Sequence, residues 1–206
     1  MTKQPRNKSS LLFKKTAGSA LILILCGFFL TPAEGYGTLK REPMKITSAA
    51  FIHQGQIPEE YTCDASDISP ALAWSDVPEG TKSFALIMDD PDAPSGRLVH
   101  WAIYNIPGDK TALPANIPAK ENFLDGTQQR KNSFRKSGYS GPCPPAGNGS
   151  HHYFFKLHAL DTVLDIQQGV HWELVESALR GHILERTEII GRYERPPAKK
   201  ISRYPR

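Results

Sequence analysis

Three stretches of the 206-residue chain gather side chains able to do chemistry. The first is Asp89-Asp90-Pro91-Asp92-Ala93-Pro94, directly after the apolar run Phe84–Met88. Carboxylates there are costly to bury unless they are paired or hydrogen-bonded, and two prolines pin the loop that carries them. The second is His100, inside the apolar segment Leu98–Ile106, where a neutral imidazole needs a partner for its N–H. The third runs from Gly138 to Tyr153 (GYSGPCPPAGNGSHHY). Its glycines permit turns that aim successive N–H groups at one point, and His151 and Tyr153 enter the next strand on one face. Such a set suits a bound phosphate or carboxylate. Alternatively, Asp90, Asp92, His100 and His151 could hold a divalent metal, and Ser140 or Cys143 could act as a nucleophile beside a histidine. Neither HExxH nor GxSxG occurs, and the glycine loop precedes a strand and lacks Gly-Lys-Ser/Thr, so it is not a Walker loop.

The elements that must position these residues are mostly strands. Met44–Ile52, Ala71–Ser75, Ser83–Asp90, Leu98–Ile106, Tyr153–Leu160 and Thr187–Tyr193 carry the apolar and β-branched residues expected of them. Ser83–Asp90 and Leu98–Ile106 are so apolar that both faces must be covered. The short link between them suggests an antiparallel hairpin that brings Asp90 or Asp92 near His100. Regular alternation would put Leu98, His100 and Ala102 on one face and Val99, Trp101 and Ile103 on the other. One helix is expected over 172–184, from Trp172, Val175, Leu179, Ile183 and Leu184 at three- and four-residue steps, with Gly181 interrupting it. The polar stretch from Pro107 to Pro145 is long and irregular, as functional loops often are.

Composition fits one globular domain: 39% hydrophobic, 22% charged, three cysteines. The net charge of +4 is unevenly spread. Residues 1–35 contribute 5 − 1 = +4 and residues 192–206 contribute 6 − 1 = +5, leaving 14 − 19 = −5 between them. Basic ends around an acidic body argue against a nucleic-acid partner. Residues 1–35 place basic residues before the uncharged run Thr16–Leu30 and small residues after it, the pattern of an export signal cleaved after Ala33 or Gly35. An uncleaved N-terminal anchor is the alternative. Cys26 follows Leu25, which does not suit lipoprotein processing. Residues 195–206 read as a basic, disordered tail able to touch anionic membranes.

SPALAW (69–74), DDPDAP (89–94), VHWAIYNIP (99–107) and GYSGPCPPAGNGSHHY (138–153), in this order and spacing, resemble the phosphatidylethanolamine-binding protein family, in particular its bacterial Raf kinase inhibitor-like branch. The resemblance spans roughly Pro43 to Tyr193. It implies a mainly β fold: a large central antiparallel sheet packed on a smaller one, with few peripheral helices near the C-terminus. The domain would occupy residues 36–194. The resemblance further implies a small anion pocket built from Asp90, His100, Gly141, Pro142, Pro144, Pro145, His151 and Tyr153, with Asp92 and Pro94 shaping the loop and Trp74 near the wall. Cys63 and Cys143 would flank the pocket and could pair there. The expected function is an exported protein binding a phosphate-bearing head group or similar anion, without cofactor or metal. A protein inhibitor of a protease or kinase acting through surface loops is the alternative, and a metal-dependent hydrolase a more distant one.

Overall fold

The computed structural model describes residues 41–167, 169 and 171–196. The expected export signal and most of the basic tail lie outside these residues. Two sheets and one helix make the fold. Strands β1 (Lys45–Ser48), β3 (Leu72–Ser75) and β6 (Ala112–Leu113) form a three-stranded antiparallel sheet. The larger sheet runs in the order β2 (Gly55–Gln56), β9 (Ile183–Tyr193), β8 (His151–Leu160), β4 (Ser83–Asp90), β5 (Leu98–Pro107) and β7 (Gln128–Gln129). It is antiparallel except for the two-residue β2, which joins β9 in parallel at one edge. Between β2 and β3, Glu59–Tyr61 makes one 3-10 turn.

β4 explains the layering. It is the central strand, buried along its whole length, and its residues alternate between two cores. Phe84, Leu86 and Met88 face the small sheet and meet Ile46, Leu72 and Trp74. Ala85 and Ile87 face the helix α1 (Trp172–Leu179) and meet Val175 and Leu179. Burying a side chain of this size stabilises the fold by about 1.5–3 kcal/mol, so a one-residue slip of β4 would forfeit most of both cores.

The same alternation parts the two adjacent aspartates. Asp89 emerges on the helix face, where Arg97 and Lys156 take it. Asp90 emerges on the face of Phe84, Leu86 and Met88, at the end of the strand.

β4 and β5 form the expected antiparallel hairpin, but not with a regular register. Met88 pairs with Trp101 and Asp89 with Val99, so His100 is the extra residue of a β-bulge. The expected division of faces therefore fails: Val99 joins Ala102 and Tyr104 in the helix-side core, and Trp101 joins Ile103 and Ile106 in the other. A second irregularity falls at Asn105, whose φ is 53°.

The helix is shorter than its periodicity suggests. It ends at Leu179, Gly181 turns the chain with φ 84°, and Ile183 and Leu184 already belong to β9. Glycine suits that turn because a side chain is disfavoured at positive φ. The segment Pro107–Pro145 carries the short strands β6 and β7 and is otherwise irregular.

Candidate functional site

Where β4 ends, the small sheet no longer covers the large one. The loops 91–97 and 141–150 close over the gap and leave a cavity of about 280 Å³. Its wall is largely apolar, from Ala93, Pro94, Leu98, Phe134, Pro144 and Pro145, with Ser95 and Cys143 beside them. Three polar side chains converge in it, Asp90, His100 and His151, each only 2% exposed. They come from β4, the β5 bulge and the first residue of β8.

Each imidazole is held by its Nδ1. His151 Nδ1–H donates to Asp90 Oδ2 at 2.8 Å, while Asp90 Oδ1 accepts the Asp92 backbone N–H at 2.8 Å. His100 Nδ1–H donates to the Ser140 carbonyl at 2.8 Å. A carboxylate and a carbonyl can only accept, so both rings carry a proton on Nδ1 and meet these partners through that nitrogen. Asn148 Nδ2 lies 3.3 Å from Nε2 of His151.

Burial pushes the pKa of His100 below its ordinary value, against the opposing pull of the Ser140 carbonyl and Asp90. His100 is therefore neutral at neutral pH. Phe134 and Tyr153 stand edge-on to its ring at 5.0 and 5.3 Å. The Tyr153 hydroxyl is buried and finds no hydrogen-bond partner among the described residues. Burial, then the Asp90 carboxylate, hold the phenol far above its ordinary range, so it stays protonated.

The structure places the other sequence-derived candidates as follows. Pro94, Pro144 and Pro145 line the cavity, and Cys143 lines it while bonded to Cys63 (S–S 2.06 Å, Cα–Cα 5.4 Å). That disulfide ties the rim to the chain after the 3-10 turn. Tyr153 stands behind His100 and is not part of the lining.

Gly141 and Pro142 lie outside it too. The Gly141 N–H donates to Asp67 Oδ1 (2.6 Å), the Ser140 N–H to the His100 carbonyl (3.0 Å), and the Pro142 carbonyl accepts from Cys63 N–H (3.2 Å). The Ser140 and Gly141 donors are thus spent inside the protein. Gly141 is required for close approach, since a Cβ there would lie 2.4 Å from the Tyr61 carbonyl oxygen.

Asp92 turns away from the cavity to His152, bonding its N–H and Nδ1 at 2.8 and 2.7 Å. Trp74 is also removed from the site. It packs on Phe84 at 5.2 Å and donates Nε1–H to the Lys110 carbonyl. Phe84 is six residues from Asp90, about 20 Å along the strand.

Ser140 and Cys143, the candidate nucleophiles, are engaged elsewhere. Ser140 Oγ is buried and accepts from Asn132 Nδ2 at 2.9 Å, and Cys143 Sγ is in the disulfide. Among the described residues no three His, Cys, Asp or Glu side chains gather as a metal site. Asp90, Asp92 and His100 each face a different partner.

Sequence reading missed Phe134, Leu98, Ser95, Ala93 and Asn148. Asn148 sits in the quoted glycine loop, and Ala93 and Ser95 in or beside the aspartate loop, so proximity to those motifs was a usable signal. Phe134 lies in an irregular segment whose spacing gives none.

Comparison with known proteins is consistent with this geometry. The family model for phosphatidylethanolamine-binding protein matches residues 47–194. A UPF0098 protein of Methanothermobacter thermautotrophicus is 49% identical over 152 residues, 74% of this chain and 99% of that protein. One from Aquifex aeolicus is 48% identical over 153 residues, 74% of this chain and 89% of that protein. Among solved structures, Escherichia coli YBCL, described as a new member of the mammalian PEBP family, is similar with a TM-score of 0.68 and 35% identity, covering 74% of this chain and 99% of that one. A phosphatidylethanolamine-binding protein homologue from Chlamydia trachomatis matches with a TM-score of 0.67 and 37% identity, covering 74% of this chain and 98% of that one.

Proposed function

Because the chain belongs to the phosphatidylethanolamine-binding protein family, we propose that it is an exported binding protein whose cavity takes a phosphate monoester or a similar small anion. One observation carries this reading: two buried imidazoles line a single small cavity with Nδ1 tied to protein acceptors, and the only side chain on either Nε2 among the described residues is the Asn148 amide beside His151. Protonated at Nε2, both would donate charge-assisted hydrogen bonds to one oxyanion, each stronger than a neutral pair. Asp90 carries no ligand in this scheme. Its carboxylate orients His151 and stabilises the imidazolium that forms, as a carboxylate does behind a histidine in many sites.

The apolar proline and phenylalanine wall excludes water and strengthens those bonds. It also suits the methylene groups of an esterified head group. Export is supported by the N-terminal basic–apolar–small pattern and by the Cys63–Cys143 disulfide, a bond typical of oxidising compartments. A binding role is supported by Ser140 and Cys143, the two candidate nucleophiles, both being engaged in structural bonds.

The test is calorimetric titration with phosphoethanolamine of the purified protein and its H100A and H151A variants. Saturable binding to the wild type, weakened at least about tenfold in each variant, is expected from the loss of one charge-assisted bond. Absence of binding to the wild type would overturn the anion reading and leave a protein-inhibitor role through the loops. Phosphoethanolamine and inorganic phosphate compared side by side separate a head-group site from a phosphate site.

A further inference from the structure

The helix-side face of the large sheet is only half covered. α1 packs over β4 and β5, and beside it the outward face of β8 and β9 floors a groove of about 620 Å³. We propose that this groove is a second ligand site, taking a small amphipathic anion, with its phosphate or carboxylate between Arg180 and Arg186 and its apolar body on Ile183.

The argument rests on which charges are already matched. Arg97 donates to Asp89 and also forks onto Glu176, at 2.5 and 3.1 Å. Lys156 donates to Asp89 at 2.8 Å. Glu188, the ladder neighbour of Lys156, also lines the groove and has no ion-pair partner among the described residues. Arg180, just past the end of α1, reaches only the Ser177 hydroxyl (2.6 Å), and Arg186 on β9 has no acid within ion-pair distance among the described residues. Two guanidiniums without carboxylates therefore border one groove. Their planar forks match an oxyanion in two-point contact, which an ammonium does not.

The floor supplies a third polar group. His158 Nδ1 is buried with no hydrogen-bond partner, and an unpaired polar atom of this kind costs about 1–3 kcal/mol. Burial and then the Arg186 charge lower its pKa to about 4, so the ring is neutral. Neutral, it adds no charge of its own to a groove whose carboxylates are Glu176, held by Arg97, and Glu188. On the other side, the half-exposed Ile183 presents the apolar wall, with the buried Ile87 and Leu179 behind it. A purely inorganic ion would leave that wall wet, whereas an alkyl or aryl anion covers it.

The groove lies on the opposite face of the sheet from the His100–His151 cavity, so the two readings can be tested apart. The probe is octyl phosphate below its micelle concentration, titrated into the ¹⁵N-labelled protein beside inorganic phosphate, in wild type and in H100A. Saturable shifts are expected at amides around Arg180–Thr187 in both proteins. Affinity should fall about tenfold in R186Q and further in R180Q/R186Q, as charge-assisted bonds are lost. Inorganic phosphate should bind at least about tenfold more weakly than octyl phosphate. Arg180 is exposed, so R180Q alone preserves the test should R186Q fail to fold. Shifts confined to the cavity around His100 and His151 would overturn the proposal, as would undiminished binding to R180Q/R186Q. Equal affinity for phosphate and octyl phosphate would overturn the assignment of the apolar wall.

Discussion

His100 and His151 show how two buried residues of one type can be prepared for one ligand by different means. His151 is backed by a carboxylate and His100 by a carbonyl, yet both carry a proton on Nδ1. His158 is the counterexample: its Nδ1 is buried without a partner and its pKa is lowered to about 4. Such a group weakens the fold in acid. Its folded-state pKa lies below the unfolded value near 6.5, so the unfolded chain takes the proton first and stability falls as pH drops from about 6.5 to about 4. The loss attributable to His158 is about 2 kcal/mol after allowance for its partly open position. Denaturant unfolding across that pH window should show it, and H158F should flatten the decline; an unchanged slope in H158F would assign the acid sensitivity elsewhere.

At the scale of elements, the cavity is made by a strand end, a bulge and a tied loop. The aspartate loop, His100 and the glycine–proline loop were legible from residue types and order, because burying carboxylates and imidazoles in apolar runs demands partners. The bulge was not legible: nothing in Leu98–Ile106 marks His100 as an extra residue, and only the register against β4 reveals it. The helix was overextended because Leu179, Ile183 and Leu184 keep helical spacing across a glycine that in fact turns the chain. Gly141 was read as an anion donor, whereas its N–H serves Asp67 and its missing Cβ lets the loop press on Tyr61.

The loop's second tie is the Cys63–Cys143 bond, which closes 80 residues of chain. Replacing both cysteines by serine should cost on the order of 3 kcal/mol through the freed unfolded chain. It should also weaken phosphoethanolamine binding, because Cys143 lines the cavity. Thermal melting and titration of the double variant check both effects; an unchanged affinity would make the bond purely a stabilising one.

Over the whole molecule, one central strand divides the work. Its inward face builds the core shared with the small sheet and delivers Asp90 to the cavity; its other face meets α1 and delivers Asp89 to Arg97 and Lys156. The basic tail begins later than the sequence suggests, since Arg195 is bonded to Asp64 and its carbonyl accepts from Gly147. The most direct check on the cavity's proposed role is its proton linkage. The His100 Nε2 must gain a proton to become a donor, and His100 starts below its ordinary pKa. The affinity for phosphoethanolamine should therefore rise steadily as pH is lowered from about 8 to about 5.5, approaching tenfold per pH unit for each proton taken up. An affinity that stays flat over the same range would contradict the histidine-borne anion site.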